Sequence, residues 1–389
     1  MPNLDDYLLW RGDLPLDVAP FTELDALALS LISYVDFPPE TALGDGVVLK
    51  DLPPMLEPST AKVKKNGHKP FFGHCRMLLD DMAVLPRYGD IRVHHYVSIR
   101  SAEYDIQFSA ITLDLPTGER FVSCRGTDYS IVGWRENFTM AFESPVPSQA
   151  AALQYLEEAA KAGLPLMVGG HSKGGNLASY AAAHLALPEQ DLIQAVYSFD
   201  SPGLDDATFA SDGYARIRPR IKAYIPQYAI VGLLLAHHED YQVVQSDVMG
   251  VLQHDAFTWQ VEGPAFLLAE GVDPAAQLFD HTLHAWLTTC SPEQRALFVN
   301  TLFDLLETTH ADTLTDLLQG TGAKLLTMLE AAFKLDRDTK KMLVQVVGRF
   351  VTIGAGKLFE SLTGRNLPQA THTHLTDGGT AHADGNASK

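Results

Sequence analysis

The chain is predicted to be an α/β protein in which a mainly parallel central sheet is flanked by helices and followed by a C-terminal helical extension. Three observations carry that prediction. Short apolar runs at 166–168 and 192–199 have the length and composition of strands buried on both faces. A helical stretch closed by Gly163 and Pro165 precedes the first run and another closed by Pro188 separates the two, which gives the alternation of a parallel sheet. The first run also ends in Gly170-His171-Ser172-Lys173-Gly174, a Gly-flanked serine where a strand turns sharply into a helix.

The N-terminal segment contains an amphipathic helix over 21–36, with Leu24, Leu27, Leu31 and Val35 at helical spacing, and Pro38-Pro39 stops it. Residues 51–69 are rich in Pro and Lys with little periodicity and read as a surface loop. Lys62, Lys64, Lys65 and Lys69 lie there as solvated charges in preference to an anion patch. A helical stretch at 71–90 precedes strand-type sequence at 91–100. His94 and His95 fall on that strand as neighbours, so their side chains point to opposite faces, which speaks against a joint metal role.

Ile106 to Leu113 and Arg120 to Arg125 flank Pro116-Thr117-Gly118-Glu119, which has turn chemistry, and form a β-hairpin. A polar and aromatic stretch with Trp134, Phe138 and Phe142 follows, as a candidate pocket lining. Pro147 then opens a helix that runs to about Ala162. Beyond the serine and its helix, the strand at 192–199 stops at Asp200-Ser201-Pro202-Gly203. Further strands are expected at 217–225, 241–245 and 257–261, with an apolar helix at 229–236 ending in His237-His238.

The character changes after about Gly271. Ser291-Pro292-Glu293 is a helix start, with Ser at the N-cap, Pro at the first helical position and an apolar stripe of Phe298, Leu302, Leu305 and Leu306. Helices are also expected at 325–333 and 342–362. The expected division is a core with an N-terminal helical and loop segment at 1–270, a helical region at 271–368 and a disordered tail at 369–389. His372, His374 and His382 belong to that tail and read as tail composition, not as a metal site.

With 389 residues, the chain has room for one large α/β domain plus an accessory helical part, or for two ordinary domains. Hydrophobic residues at 46% and charged residues at 20% describe a soluble globular protein. No apolar run approaches the ~18 residues that span a bilayer. Asp5 and Asp6 near the start replace the basic and apolar segments of a signal peptide, so a cytoplasmic location is expected. Cys75, Cys124 and Cys290 are odd in number and lack metal spacing, and are read as free thiols. A net charge of -19 argues against nonspecific nucleic-acid binding and against attraction to anionic lipid surfaces.

A serine hydroxyl is a poor nucleophile until a base takes its proton, so Ser172 needs a histidine, and the histidine needs an acceptor. Downstream candidates before the helical region are His184, His237, His238 and His254. His184 falls inside the helix after the serine and is expected to point away, and His237-His238 ends an apolar helix, where a cation is favoured anyway. His254 lies in a loop that can deliver a base to the carboxyl edge of a sheet. Asp200, just past a strand end, is a candidate acid. It competes with a role in capping the 201–203 turn, and with Asp240, Asp247 and Asp255 as acids. The backbone N–H of Lys173 and the N–H and hydroxyl of Thr127, in Arg125-Gly126-Thr127-Asp128, are candidate oxyanion donors.

Arg125-Gly126-Thr127 followed by Gly170-His171-Ser172-Lys173-Gly174-Gly175 resembles the class 3 lipase branch of the α/β-hydrolases. The chain is more similar still to the bacterial Mbeg-like hydrolases of unknown function. It shares with them Tyr7-Leu8-Leu9-Trp10-Arg11-Gly12-Asp13, the element near 31–37, the 169–178 elbow, Tyr197-Ser198-Phe199-Asp200-Ser201-Pro202-Gly203 and Gln253-His254-Asp255-Ala256-Phe257-Thr258-Trp259. The likeness covers residues 1 to about 270. It implies an α/β-hydrolase fold, Ser172 as nucleophile and His254 as base. Class 3 lipases carry their acid in a segment that here is Pro226-Gln227-Tyr228-Ala229-Ile230-Val231-Gly232, which has no carboxylate, and this moves the expectation to Asp200. Where those lipases often have Leu, this chain has Lys173, a charge expected to favour an acidic or polar substrate or simply to be solvated.

The function expected is a serine hydrolase that cleaves carboxylic esters, lipid or acyl esters first, through an acyl-enzyme, without cofactor or metal. Its partner is then a small-molecule ester, with a homodimer surface or a site cover as roles for the C-terminal helices. The alternative is a catalytically inactive interaction or regulatory protein on the same fold.

Overall fold

The computed structural model describes residues 1–57, 70–128, 131–140, 143–229, 231–232 and 240–307, together with 337, 339–341 and 344. Eight strands form one mixed sheet in sequential order. The first four are β1 (Val47–Val48), β2 (Arg92–Ser101), β3 (Ile106–Asp114) and β4 (Arg120–Cys124), and they run antiparallel to one another. From β4 onward every pairing is parallel, through β5 (Leu166–His171), β6 (Ile193–Phe199), β7 (Ile221–Pro226) and β8 (Tyr241–Val244). The chain is thus an α/β protein with a mostly parallel sheet and flanking helices, and β3 and β4 form the expected hairpin.

The helices are α1 (Leu4–Arg11), α2 (Glu23–Ile32), α3 (Glu40–Leu43), α4 (Phe71–Val84), α5 (Ile131–Thr139), α6 (Pro147–Ala160), α7 (Lys173–His184), α8 (Leu187–Gln190), α9 (Asp206–Phe209), α10 (Asp212–Ile217), α11 (Pro274–Thr289) and α12 (Pro292–Glu307). Parallel crossovers are right-handed, and a strand order that always steps the same way therefore places every crossover helix on one face. Accordingly α6, α7 and α10 share one core with Val122, Cys124, Leu166, Val168 and Val196. The other face has no crossover to cover it, and the N-terminal segment does so. There α1, α2 and α4 pack on Phe121, Met167, Ala195, Tyr197 and Phe199, the alternate residues of the same strands.

The helix expected over 21–36 is therefore not amphipathic. Every residue of α2 from Leu24 to Ile32 is buried, because the sheet lies on one side and α1 and α4 on the other. Each of its fully buried leucines contributes about 1.5–3 kcal/mol. A capping box fixes its start: the Thr22 hydroxyl accepts from the Asp25 N–H, and the Asp25 carboxylate accepts from the Thr22 N–H at 2.8 Å.

Other boundaries differ from the sequence pattern for local reasons. The helix expected to reach residue 90 stops at Val84, as Leu85 precedes Pro86 and is pushed out of the helical region. The strand expected from Ile217 begins only at Ile221, since Ser211 caps α10 and Pro219 sits in a following 3₁₀ turn. The strand expected at 257–261 is a 3₁₀ turn over Ala256–Thr258 and a two-residue strand, Val261–Glu262, paired with Ala265–Phe266. α11 falls within the helical region expected from residue 271, though no separate helix is delimited there by the sequence pattern. α12 starts at Pro292 behind Ser291 as expected; Val299 and Phe303, one turn apart, are buried, and Phe303 packs on Phe138 of α5, while the side chains of Leu302 and Leu306 in the anticipated stripe lie outside the described residues.

A β-bulge follows His94 and contains His95, and the two side chains diverge, with His94 bonded to Asp114 at 3.0 Å and His95 stacked on Tyr155. Cys75, Cys124 and Cys290 are free and buried. The lysines of 62–69, His237 and His238, the helices expected at 325–333 and 342–362, and the tail with its three histidines lie outside the described residues, apart from isolated helical positions at 337–344. Among the described residues, no helix is long and apolar enough to cross a membrane.

Candidate active site

The first site residue sits where the backbone is most constrained. β5 ends at His171, α7 begins at Lys173, and Ser172 between them has φ 59° and ψ −136°. A non-glycine residue in that region costs about 1–3 kcal/mol and persists only where the surroundings enforce it. The flanking glycines enforce it by close approach. A Cβ on Gly170 would lie 2.3 Å from the Gly174 carbonyl carbon, and one on Gly174 would lie 2.1 Å from the Cys124 oxygen. The Ser172 N–H donates to Phe199 O at 2.8 Å, which ties the turn to β6. The residue is 8% exposed.

His254 arrives from the far end of the sheet on a 3₁₀ turn, Gly250–His254. Gln253 anchors that turn by accepting from the Tyr228 N–H at 2.7 Å and donating to Val248 O at 2.9 Å. The buried Trp259 donates its indole N–H to Gln253 O at 2.8 Å. The His254 ring then places Nε2 3.1 Å from Ser172 Oγ and Nδ1 2.6 Å from Asp200 Oδ2. A carboxylate accepts only, so Nδ1 carries the proton and Nε2 is left as acceptor for the serine hydroxyl.

Asp200 occupies the residue after β6 with φ 43°, a second non-glycine strand end in the left-handed region. It is 1% exposed, and both its oxygens are engaged: Oδ2 by His254 and Oδ1 by the Gly232 N–H at 2.9 Å. It does not cap the 201–203 turn, whose Pro202 and Gly203 carbonyls accept from Asn176. Asp255 directs Oδ1 to the Phe257 N–H at 3.1 Å, and Asp240 and Asp247 are exposed. The segment 226–232, which lacks a carboxylate, contributes the backbone N–H that holds Asp200. His184 turns Nδ1 to Tyr180 O within its own helix and stacks on Tyr180.

His171, between the glycine and the serine, is a site residue that sequence reasoning missed. Its Nε2–H donates to His254 O at 2.8 Å, and its Nδ1 accepts from the Tyr34 hydroxyl at 3.1 Å. Burial, reinforced by the neighbouring His254, holds the His171 imidazole well below the usual histidine range, so it is neutral, as this pattern of one donor and one acceptor requires. The same Tyr34 hydroxyl explains Gly126, where a Cβ would lie 1.9 Å from it. Arg125 is buried rather than a surface residue, and donates to Asp36 at 2.7 Å.

Lys173 and Thr127 follow Ser172 and β4 respectively. Among the described residues, neither backbone N–H has a hydrogen-bond partner. The Lys173 side chain corrects both sequence expectations, since it neither faces a substrate nor is solvated. It is fully buried and donates to Glu136 Oε2 at 2.9 Å and Gln107 O at 2.6 Å. Burial, opposed by the Glu136 carboxylate, pulls its ammonium below the usual lysine range. The Thr127 hydroxyl accepts from Asn137 Nδ2 at 2.6 Å. Phe138 is half exposed against Phe303, and Phe142 and the Trp134 side chain lie outside the described residues. Among the described residues, no group of three or more His, Cys, Asp or Glu could hold a metal ion.

The family model described as Mbeg1-like matches residues 82–304, more than half of the chain. No curated protein matches the chain. Among solved structures, M37 lipase is 17% identical with a TM-score of 0.32, over 55% of this chain and 70% of that one. The lipase of Rhizomucor miehei in its native propeptide complex is 14% identical with a TM-score of 0.36, over 59% of this chain and 78% of that one.

Proposed function

The chain belongs to the Mbeg1-like family, and we propose that it is a serine hydrolase of carboxylic esters, on an α/β-hydrolase fold, working through an acyl-enzyme on Ser172. One observation carries the proposal: Ser172 Oγ, His254 and Asp200 lie in an unbroken line of hydrogen bonds of 3.1 and 2.6 Å. Nothing structural requires a strained serine and a buried aspartate at two strand ends to meet a histidine carried on a 3₁₀ turn beyond β8. Their order in the chain, serine, acid, histidine, is the one expected of this fold.

In the proposed reaction His254 Nε2 takes the Ser172 proton as Oγ attacks the ester carbonyl. Asp200 holds the tautomer and stabilises the imidazolium that forms. The oxyanion is received by the Lys173 N–H and by Thr127. The tetrahedral intermediate collapses, His254 returns the proton to the leaving alcohol, and a water activated by the same imidazole hydrolyses the acyl-enzyme. Because His171 fixes the His254 carbonyl, the base returns to one position for both half-reactions.

The test is covalent labelling by a fluorophosphonate probe, followed by an ester panel graded in acyl length. The wild type is expected to label and to turn over at least one ester, and Ser172→Ala to do neither, with a loss of about 10⁴-fold or more in kcat. Folded wild-type protein that does not label would sink the proposal in favour of a non-catalytic interaction protein. The absence of a carboxylate at 226–232 would favour that alternative, and the bond of 2.6 Å between Asp200 and His254 supports the catalytic reading instead.

A further inference from the structure

Helix α5 presents two consecutive side chains to two segments that are far apart in the sequence. Glu136 is 1% exposed. Its Oε2 accepts from Lys173 Nζ at 2.9 Å and from the Gln107 N–H at 3.1 Å, and its Oε1 accepts from the Ser148 N–H at 2.8 Å. Lys173 Nζ donates further to Gln107 O at 2.6 Å. The next residue, Asn137, donates Nδ2 to Thr127 Oγ1 at 2.6 Å. One turn earlier, Gly133 lets the helix approach so closely that a Cβ there would lie 2.8 Å from Thr127 Cγ2. The helix thus grips both Lys173 and Thr127.

Stability is a weak reason for such an arrangement. Burying an ammonium and a carboxylate together costs desolvation that their attraction barely returns, and an apolar pair of similar volume is often at least as stable. Directional bonds do what an apolar pair cannot. Glu136 and Lys173 between them make four bonds to main-chain or charged partners, which locks the first residue of α7 to β3, α5 and the start of α6. Oxyanion stabilisation requires that fixity, since the donors must be in place before the charge develops.

We propose that Glu136 and Asn137 are positioning residues of the oxyanion site, holding the N–H groups of Lys173 and Thr127 at a fixed separation beside Ser172. Neither touches the substrate; each acts through its partner. The proposal rests on the reading of Ser172 as nucleophile. It predicts that the ion pair is needed for rate and not for folding.

The experiment compares wild type with Lys173→Met/Glu136→Leu, with Glu136→Gln and with Asn137→Ala, reading Tm, fluorophosphonate labelling rate, and kcat and KM on a short-chain ester. The paired variant strands the Gln107 and Ser148 N–H groups and the Gln107 carbonyl, so its Tm is expected to fall by several degrees with the fold retained. Its KM stays within about twofold, while kcat and labelling rate, read well below Tm, fall by about 10–100-fold. Asn137→Ala is expected to lower kcat by about tenfold with Tm and KM held. Glu136→Gln, which keeps an acceptor at that position while removing the charge, is expected to lower kcat by about tenfold with KM held, and it decides the role of Glu136 should the paired variant not fold. Wild-type kcat in any folded variant would overturn the role of the residue changed. An unlabelled wild type would instead overturn the underlying reading of Ser172, an outcome separate from the first.

Discussion

The Gly232 N–H donates to Asp200 Oδ1 at 2.9 Å, and a Cβ at 232 would lie 2.4 Å from that same oxygen. The two residues come from different loops at the carboxyl edge of the sheet, one after β6 and one after β7. Asp200 is thereby held on both sides, with His254 on Oδ2 and the Gly232 main chain on Oδ1. The carboxylate can neither rotate nor drift without losing one of the two bonds.

Gly232→Ala is expected to lower kcat by roughly 10–100-fold with little change in KM, because displacing a positioned group by about 1 Å can cost on that order. The added methyl also meets Ile225 Cγ2 at 2.8 Å, so the loop must retreat from Asp200. Steady-state kinetics on one ester, with Tm as a control, checks this. An unchanged kcat would show that the Gly232 contact does not hold the acid in place.

Asp200→Asn is expected to keep the fold and lose about 10³–10⁴-fold in kcat. The amide can keep Oδ1 for the Gly232 N–H, which leaves Nδ2, a donor, facing His254 Nδ1. The imidazole must then carry its proton on Nε2, where it donates to Ser172 instead of accepting from it. Fluorophosphonate labelling should slow in parallel with turnover.

The elbow was legible in the sequence because its constraint is local: two glycines flank a serine, and each lies against backbone. Asp200 and His254 were legible as candidates because chemistry gathers at strand ends, and the pattern of apolar runs shows where strands end. Contacts between remote segments left no comparable signal. Glu136 falls in a polar and aromatic stretch whose pattern gives it no role, and only the fold shows that Lys173 is its buried partner. Gly232 contributes a main-chain N–H, which no residue type announces. The 3₁₀ turn at 256–258 looked like a strand because Phe257, Trp259 and Val261 alternate, whereas the turn is set by Asp255 capping the Phe257 N–H and by the Trp259 indole bonding Gln253 O.

Stability should fall as the pH drops below the ordinary histidine range, in part through His171. Its folded-state pKa is depressed, so below about 6.5 the unfolded chain takes up a proton that the native state refuses, and the native state loses ground until its own pKa is reached. One such group contributes a slope of up to about 1.4 kcal/mol per pH unit in that window. His171→Gln retains a donor for the His254 carbonyl and removes the titration. Urea unfolding from pH 7 to 5 should show a shallower decline for the variant than for wild type, and equal slopes would contradict the assignment.

The N-terminal layer depends on another buried ion pair, and here removing one partner should be costly. Arg87 donates to both oxygens of Asp25, at 2.7 and 2.6 Å, and to the carbonyls of Leu14, Ala19 and Pro20. Tyr7 and Tyr88 donate their hydroxyls to Asp25 Oδ1. Both members of the pair are sealed from solvent. Arg87→Met leaves the Asp25 carboxylate in the core with tyrosine hydroxyls as its remaining side-chain partners beside Thr22, and strands three main-chain carbonyls. The expected loss is about 3–5 kcal/mol in urea unfolding. Lys50→Ala breaks an exposed pair with Asp90 of equally short distance, 2.7 Å, and should leave the unfolding midpoint unchanged within error. Equal effects from the two substitutions would mean that burial does not set how strongly such a pair holds α1 and α2 against the sheet.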